Sequence, residues 1–240
     1  MNAKHWKVNV SVIGIAATMF LAVGCDEKAV VEPEKKQSTP DKLPYWGEPD
    51  IVFSSDKNGA VIADTVQYTI PKFSFVNQDS AEVSHHTYDG KIFVADFFFT
   101  ECTTICPMLS AQMTRVQSAL KQEKLNDKVM LLSHSVNPLN DTPAVLKAYA
   151  DKLGADYSNW NFVTGKPEDI YYQAEDGYML TAFPSDTAQG GIFHTDKLTL
   201  VDWNMHIRGY YDGTSTAAVD EMLADIKKLV EEQKQAKNEN

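Results

Sequence analysis

The sequence predicts one α/β domain built on a mixed β-sheet flanked by helices, with a hairpin near its start and another late in the chain. Three observations carry that prediction. Residues 91–99, KIFVADFFF, form a continuous apolar and aromatic run of strand length, as a strand covered on both faces requires. Leu109, Met113, Val116 and Leu120 then recur at helical spacing. Strand and helix patterns go on alternating until two strand-like runs follow each other directly at 197–203 and 206–211, which reads as an antiparallel hairpin in an otherwise crossover-connected sheet.

The elements follow in order. Val66, Tyr68, Ile70, Phe73 and Phe75 space apolar residues through 66–76, predicting short strands of an early hairpin. After the strand at 91–99, a helix is expected over about 107–124, and Val129 to Val136 is a second buried strand. A helix follows Pro143 with Val145, Leu146, Tyr149 and Leu153 on one stripe, Asn161 to Thr164 is a short strand, and Pro167 can open another helix. The last helix turns Val219, Met222, Leu223, Ile226, Leu229 and Val230 inward before a charged tail at 237–240. One core, within 44–236, accommodates all of these.

The N-terminus reads differently. Lys4 and Lys7 precede 17 uncharged residues, Val8 to Gly24, a run too short and too rich in small residues for a membrane span. It ends in Leu21-Ala22-Val23-Gly24-Cys25, which resembles a bacterial lipobox: residues 1–24 are read as a lipoprotein signal peptide and Cys25 as the acylated new N-terminus. Residues 25–43 continue as a Lys/Glu/Pro/Ser/Thr-rich tether that cannot bury a core. Extended, such a tether reaches up to roughly 60 Å. The expected location is the bacterial envelope, on the periplasmic face of the membrane. The formal net charge of −11 repels phosphate backbones, so nucleic acid is excluded as a partner, and no phosphate-cradling glycine loop is present.

With Cys25 assigned to lipid, Cys102 and Cys106 remain as an isolated pair. A disulfide between residues four apart closes a very short loop and contributes little as a staple, so redox or metal chemistry is the better use of the pair. Pro107 suits the first turn of a helix and disfavours helical geometry at the residue before it. Cys106 is therefore placed near the N-cap and Cys102 on the loop leading in, where a strand-to-helix turn gathers ligands in α/β folds. The helix N-terminus is expected to favour the Cys106 thiolate. Two thiolates select soft metals, Cu(I) above all, with Zn(II) as competitor; without a third ligand a dithiol exchanges disulfides instead. Of six histidines, His5 leaves with the signal, His85 and His86 sit in a polar loop, His134 lies inside a strand, and His206 falls on a hairpin turn. His194 follows a glycine-bearing loop and precedes a strand, the position from which it could reach a site. Met108 and Met113 are read as core rather than thioether ligands.

The chain resembles the Sco/SenC copper proteins, a thioredoxin-like branch serving cytochrome c oxidase assembly. The residues carrying the resemblance are Phe98-Phe99-Thr100-Glu101-Cys102-Thr103-Thr104-Ile105-Cys106-Pro107, Ser135-Val136-Asn137-Pro138-Leu139-Asn140-Asp141-Thr142-Pro143, Trp160 to Gly165, His194 before Leu198 to Asp202, and Ile207 to Tyr211. The resemblance implies a thioredoxin-like fold, copper ligands at Cys102, Cys106 and His194, and Cu(I), with Cu(II) as a second state. It implies transfer of copper to the binuclear site of oxidase subunit II, or reduction of that site's cysteines by the same sulfurs, with a thioredoxin-like reductant as a further partner. Where the family commonly has Asp-Pro after the middle strand, this chain has Asn137-Pro138 and so lacks that charge. A metal-free envelope thiol–disulfide oxidoreductase is the main alternative, although three residues separate these cysteines instead of the usual two. A peroxidase would want a proline where Phe99 stands, and a non-enzymatic copper sensor or buffer is a third possibility.

Overall fold

A computed structural model of the chain describes residues 42–55, 57, 61–185 and 191–238. The signal segment 1–24, Cys25 and the tether up to residue 41 lie outside the described residues. Eleven strands and four α-helices are described. Strands β1 (Asp50–Ser55) and β2 (Val61–Val66) pair antiparallel as a separate, exposed two-stranded sheet. The central sheet comprises β3 (Ser74–Asn77), β4 (Glu82–Ser84), β5 (Ile92–Phe98), β6 (Val129–Ser135), β7 (Trp160–Thr164), β10 (Lys197–Val201) and β11 (Ile207–Asp212), in the spatial order β11-β10-β5-β6-β7-β3-β4. A third sheet pairs β8 (Ala182–Pro184) with β9 (Ile192–His194). The helices are α1 (Cys106–Gln122), α2 (Pro143–Leu153), α3 (Pro167–Tyr172) and α4 (Thr216–Asn238).

Strand β5 is buried at every position, which is why its sequence runs apolar without alternation. It pairs parallel with β6 and antiparallel with β10, and β6 pairs parallel with β7. The carboxyl ends of β5, β6 and β7 therefore share one pole of the sheet, and the antiparallel β10 begins at that same pole. Helix α1 packs on β6 and against α4, while α2 packs on β7 and β3. Helix α2 starts where local chemistry dictates: the Thr142 hydroxyl accepts from the Val145 N–H, Pro143 occupies the first turn, and Gly154 ends the helix in the left-handed region at φ 68°.

Three boundaries differ from the sequence reading. The early hairpin is two hairpins: Val66 ends β2, Phe75 lies in β3, and 67–73 joins them without regular secondary structure. That stretch spaces apolar residues because Ile70 and Phe73 enter the core, and the Ile70 N–H bonds to the Met205 carbonyl instead of a strand partner. Leu43 belongs to the body and not to the tether. Its N–H donates to Glu232 Oε1 at 3.0 Å, and its carbonyl accepts from Arg208. Helix α4 runs to Asn238, two residues into the segment assigned as tail, and residues 239–240 lie outside the described residues.

Candidate metal centre

The centre forms at the pole where β5 and β6 end and β10 begins. Residues 99–105 leave β5 as a loop carrying Cys102, and α1 begins at Cys106 with Ile105 as N-cap and Pro107 in the first turn. Cys102 is half-buried and Cys106 fully buried, and both are free thiols. His194 arrives from the opposite direction as the last residue of β9, a strand absent from the sequence reading, three residues before β10.

The three predicted ligands converge. The Cys102 and Cys106 sulfurs and a His194 ring nitrogen all lie within 4.8 Å of one another, the sole such group of three His, Cys, Asp or Glu side chains among the described residues. A trigonal set with bonds of about 2.0–2.3 Å spans about 3.5–4.0 Å between donors, so the side chains need to close by only about an ångström around an ion. Nε2 of His194 lies 3.6 Å from the Cys106 sulfur, and Nδ1 lies 3.0 Å from the Thr195 carbonyl. A carbonyl only accepts, so Nδ1 carries the proton and Nε2 presents its lone pair to the sulfurs. That tautomer is the one a metal needs, and the carbonyl is the outer partner that fixes it.

The two thiols are electrostatically unequal, opposite to the expectation that the helix N-terminus would favour a Cys106 thiolate. Burial pushes the Cys106 thiol far up, the Phe99 backbone offsetting only part of it, and neighbouring Cys102 adds to the rise. For Cys102 burial acts in the same direction but is outweighed by hydrogen bonds from the Thr104 hydroxyl, the Cys106 thiol and the Cys106 and Thr104 backbone, leaving its pKa at about 6. At neutral pH Cys102 is the thiolate and Cys106 its proton-bearing neighbour.

The other candidates are elsewhere. His86 is exposed and paired with Asp89 at 2.9 Å; His85 is half-buried against Phe73. His134 is wholly buried, its ring stacked on Phe97, and burial lowers its pKa to about 3. His206 sits on the β10–β11 turn beside Asp202. Met113 is core as expected, whereas Met108 is exposed, so its place in the core is corrected. Thr104, whose hydroxyl lies 3.5 Å from the Cys102 sulfur, and Phe99, whose ring meets His194 edge-on, were missed because neither type carries a metal or redox signal in sequence.

A family model described as SCO1/SenC matches residues 63–231, a span containing both cysteines, the histidine and the whole central sheet. The chain belongs to the SCO1/SenC family. Three solved structures give the comparison more detail. A SCO1/SenC family lipoprotein from Bacillus anthracis is 35% identical with a TM-score of 0.63, over 68% of this chain and 95% of that one. BsSco, described as a member of the Sco family of cytochrome c oxidase assembly proteins, is 32% identical with a TM-score of 0.61, over 68% of this chain and 93% of its own. Bradyrhizobium japonicum ScoI, solved with copper bound, is 25% identical with a TM-score of 0.56, over 68% and 99%. The thioredoxin-like α/β fold expected from the resemblance is thus shared with these SCO1/SenC relatives, and the Cys-Cys-His cluster fits the copper chemistry of the family.

Proposed function

We propose that this protein binds Cu(I) through Cys102, Cys106 and His194 and delivers it to the binuclear site of cytochrome c oxidase subunit II. The observation that carries this reading is the donor set itself: two sulfurs and one lone-pair-bearing imidazole nitrogen within 4.8 Å. Soft thiolates select Cu(I), and binding releases the Cys106 proton in exchange for the ion, so Cys106 need not be ionised beforehand. The SCO1/SenC relatives support the reading through the copper held by the Bradyrhizobium protein and the oxidase-assembly role given to BsSco.

The thiol asymmetry supports a second use of the same sulfurs. A Cys102 thiolate attacks a target disulfide and Cys106 resolves the mixed disulfide. The target leaves reduced and the pair oxidised, to be restored by a thioredoxin-like dithiol. Copper and the disulfide exclude each other, so the two uses alternate on one site.

We also infer that Cys25 is acylated and holds the body at the periplasmic face of the membrane. Support comes from the lipobox sequence and the lipoprotein relative. Among the described residues no helix is long and apolar enough to cross a membrane. Mass spectrometry of the mature protein tests this: a diacylated or triacylated Cys25 is expected, and an unmodified, soluble chain retaining residues 1–24 overturns it.

Competition titration with a Cu(I) chelator tests the binding. The reduced chain is expected to hold one equivalent and His194→Ala to lose affinity more than about a hundredfold, beyond the usual effect of an outer-shell change. Equal affinity in both proteins, with disulfide exchange retained, leaves the oxidoreductase as the function. Oxidase activity in a deletion strain separates delivery from buffering: restored copper-site assembly on complementation is expected, and normal assembly without the protein rules delivery out.

A further inference from the structure

Phe99 touches all three proposed ligands. Its carbonyl accepts from the Cys102 N–H at 3.2 Å, its backbone acts on the Cys106 thiol against the rise that burial causes, and its ring meets the His194 imidazole with centroids 5.5 Å apart and planes at 85°. What fixes Phe99 is its neighbour. The Asp141 carboxylate accepts the Thr100 N–H at 3.1 Å, the Thr100 hydroxyl at 2.5 Å and the Ser135 hydroxyl at 2.5 Å. Asp141 is wholly buried and stands immediately before the Thr142 N-cap of α2, while Ser135 ends β6. The loop that carries Cys102 is therefore bonded to the end of one strand and the start of a helix through a single side chain.

The turn around Asp141 is built to present it. The Asn137 carbonyl accepts from the N–H groups of Asn140 and Asp141 at 3.0 and 2.9 Å, and the Asn137 N–H donates to the Ser135 hydroxyl at 3.1 Å. The backbone of Asn137 thus shapes the turn, and Asp141 supplies the acceptor oxygens. Burying a carboxylate is costly unless its oxygens are well satisfied, and here three uncharged donors converge on it. An ionised carboxyl group is acceptor-only, so it suits three donors; an amide in its place turns a donor toward one of them.

We propose that Asp141 is a positioning residue of the metal centre. By pinning Thr100 it sets Phe99 against Cys102, Cys106 and His194, and holds the three donors at binding distance before an ion arrives. Preorganisation of this kind belongs to outer-shell groups, whose loss typically lowers metal affinity about 10–100-fold. The proposal rests on the copper reading above and adds to it the residue that sets the strength of the site.

The test uses the full chain and reads Cu(I) affinity by chelator competition, the reduction potential of the Cys102–Cys106 pair, and the melting temperature. Asp141→Asn and Thr100→Val keep most of the local packing; Asp225→Asn, which disturbs the buried bond from Tyr211 of β11 to Asp225 of α4, is the control for general destabilisation. Both clamp variants are expected to bind Cu(I) about tenfold or more weakly and to shift the pair's potential, with the control changing melting temperature alone. Clamp variants that melt lower but keep the wild-type affinity and potential overturn the proposal. If wild-type protein binds no Cu(I), the copper reading fails by itself, and the potential still decides the clamp because disulfide closure uses the same two sulfurs.

Discussion

The Cys106 sulfur and Nε2 of His194 lie 3.6 Å apart although 88 positions separate them in the chain. Strand pairing accounts for the meeting. Thr199 of β10 lies opposite Ala95 of β5 in antiparallel register, so the residues entering β10 run alongside those leaving β5. Continuing that register past the strand ends sets residues 194–195 beside 99–100. The histidine reaches the cysteine loop because one sheet carries both segments to the same pole.

The bond from His194 to the Thr195 carbonyl has a spectroscopic consequence. In the reduced protein the neutral imidazole is expected as its Nδ1–H tautomer, as long-range ¹⁵N correlation spectra can resolve. Cu(I) should shift the Nε2 resonance and leave the Nδ1 proton in place. Observation of the Nε2–H tautomer in the reduced protein would remove the pre-set lone pair on which the ligand assignment depends.

Reactivity should follow the unequal thiols. Carbamidomethylation of the reduced protein is expected at Cys102 first, its rate rising with a midpoint near pH 6, while Cys106 stays unmodified at neutral pH. The linked effect on stability has a definite sign. The folded Cys102 thiol gives up its proton at about pH 6, below its ordinary value of 9.0, so its contribution is complete above that value and declines as pH falls toward 6. Peptide mapping that finds Cys106 labelled before Cys102 contradicts this order.

Asp96 gives the opposite pH dependence. Burial beneath the centre raises its carboxyl to about 7, with the Ser133 hydroxyl, donating at 2.5 Å, countering only part of the rise. Its folded-state pKa exceeds the ordinary 3.8, so its contribution is fully present below that value and is lost as pH rises through about 7. Asp96→Asn removes the ionisation and should stabilise the protein at pH 8 relative to pH 4, by an amount on the order of a few kcal/mol. Melting curves of both proteins across this range provide the check; a difference that does not vary with pH counts against the assignment.

Arg208 should be among the least replaceable residues. It is wholly buried, pairs with Asp202 at 3.0 Å and Glu232 at 2.8 Å, donates to the carbonyls of Leu43 and Pro44, and lies over the Tyr45 ring. Arg208→Ala takes the cationic partner from the buried Asp202 and the partly buried Glu232 and is expected to cost about 3–5 kcal/mol. Hydrogen exchange at Leu43 and Trp46, whose N–H groups bond to Glu232 and Ile207, should accelerate most. A loss below about 1 kcal/mol in denaturant unfolding, within the range of an exposed ion pair, would show that the network is not the anchor of this segment.

Apolar periodicity, proline placement and cysteine spacing by themselves determined the alternating strands and helices, the buried β5 and the strand-to-helix position of the cysteine pair. Each of those signals acts within a few residues, so each is legible along the chain. Two hairpins escaped this reading. β1 and β2 bury no face, and β8 and β9 are only three residues long, so neither imposes a pattern long enough to detect. Tertiary structure alone decided that Cys102 and not Cys106 ionises, because desolvation depends on what surrounds a sulfur and not on its place in a helix. It alone showed that Asp141 reaches Thr100 across 41 positions, and it brings His194, which the family resemblance implied as a ligand, to the cysteines. Spacing in sequence does not encode distances between segments; sheet register and packing set them.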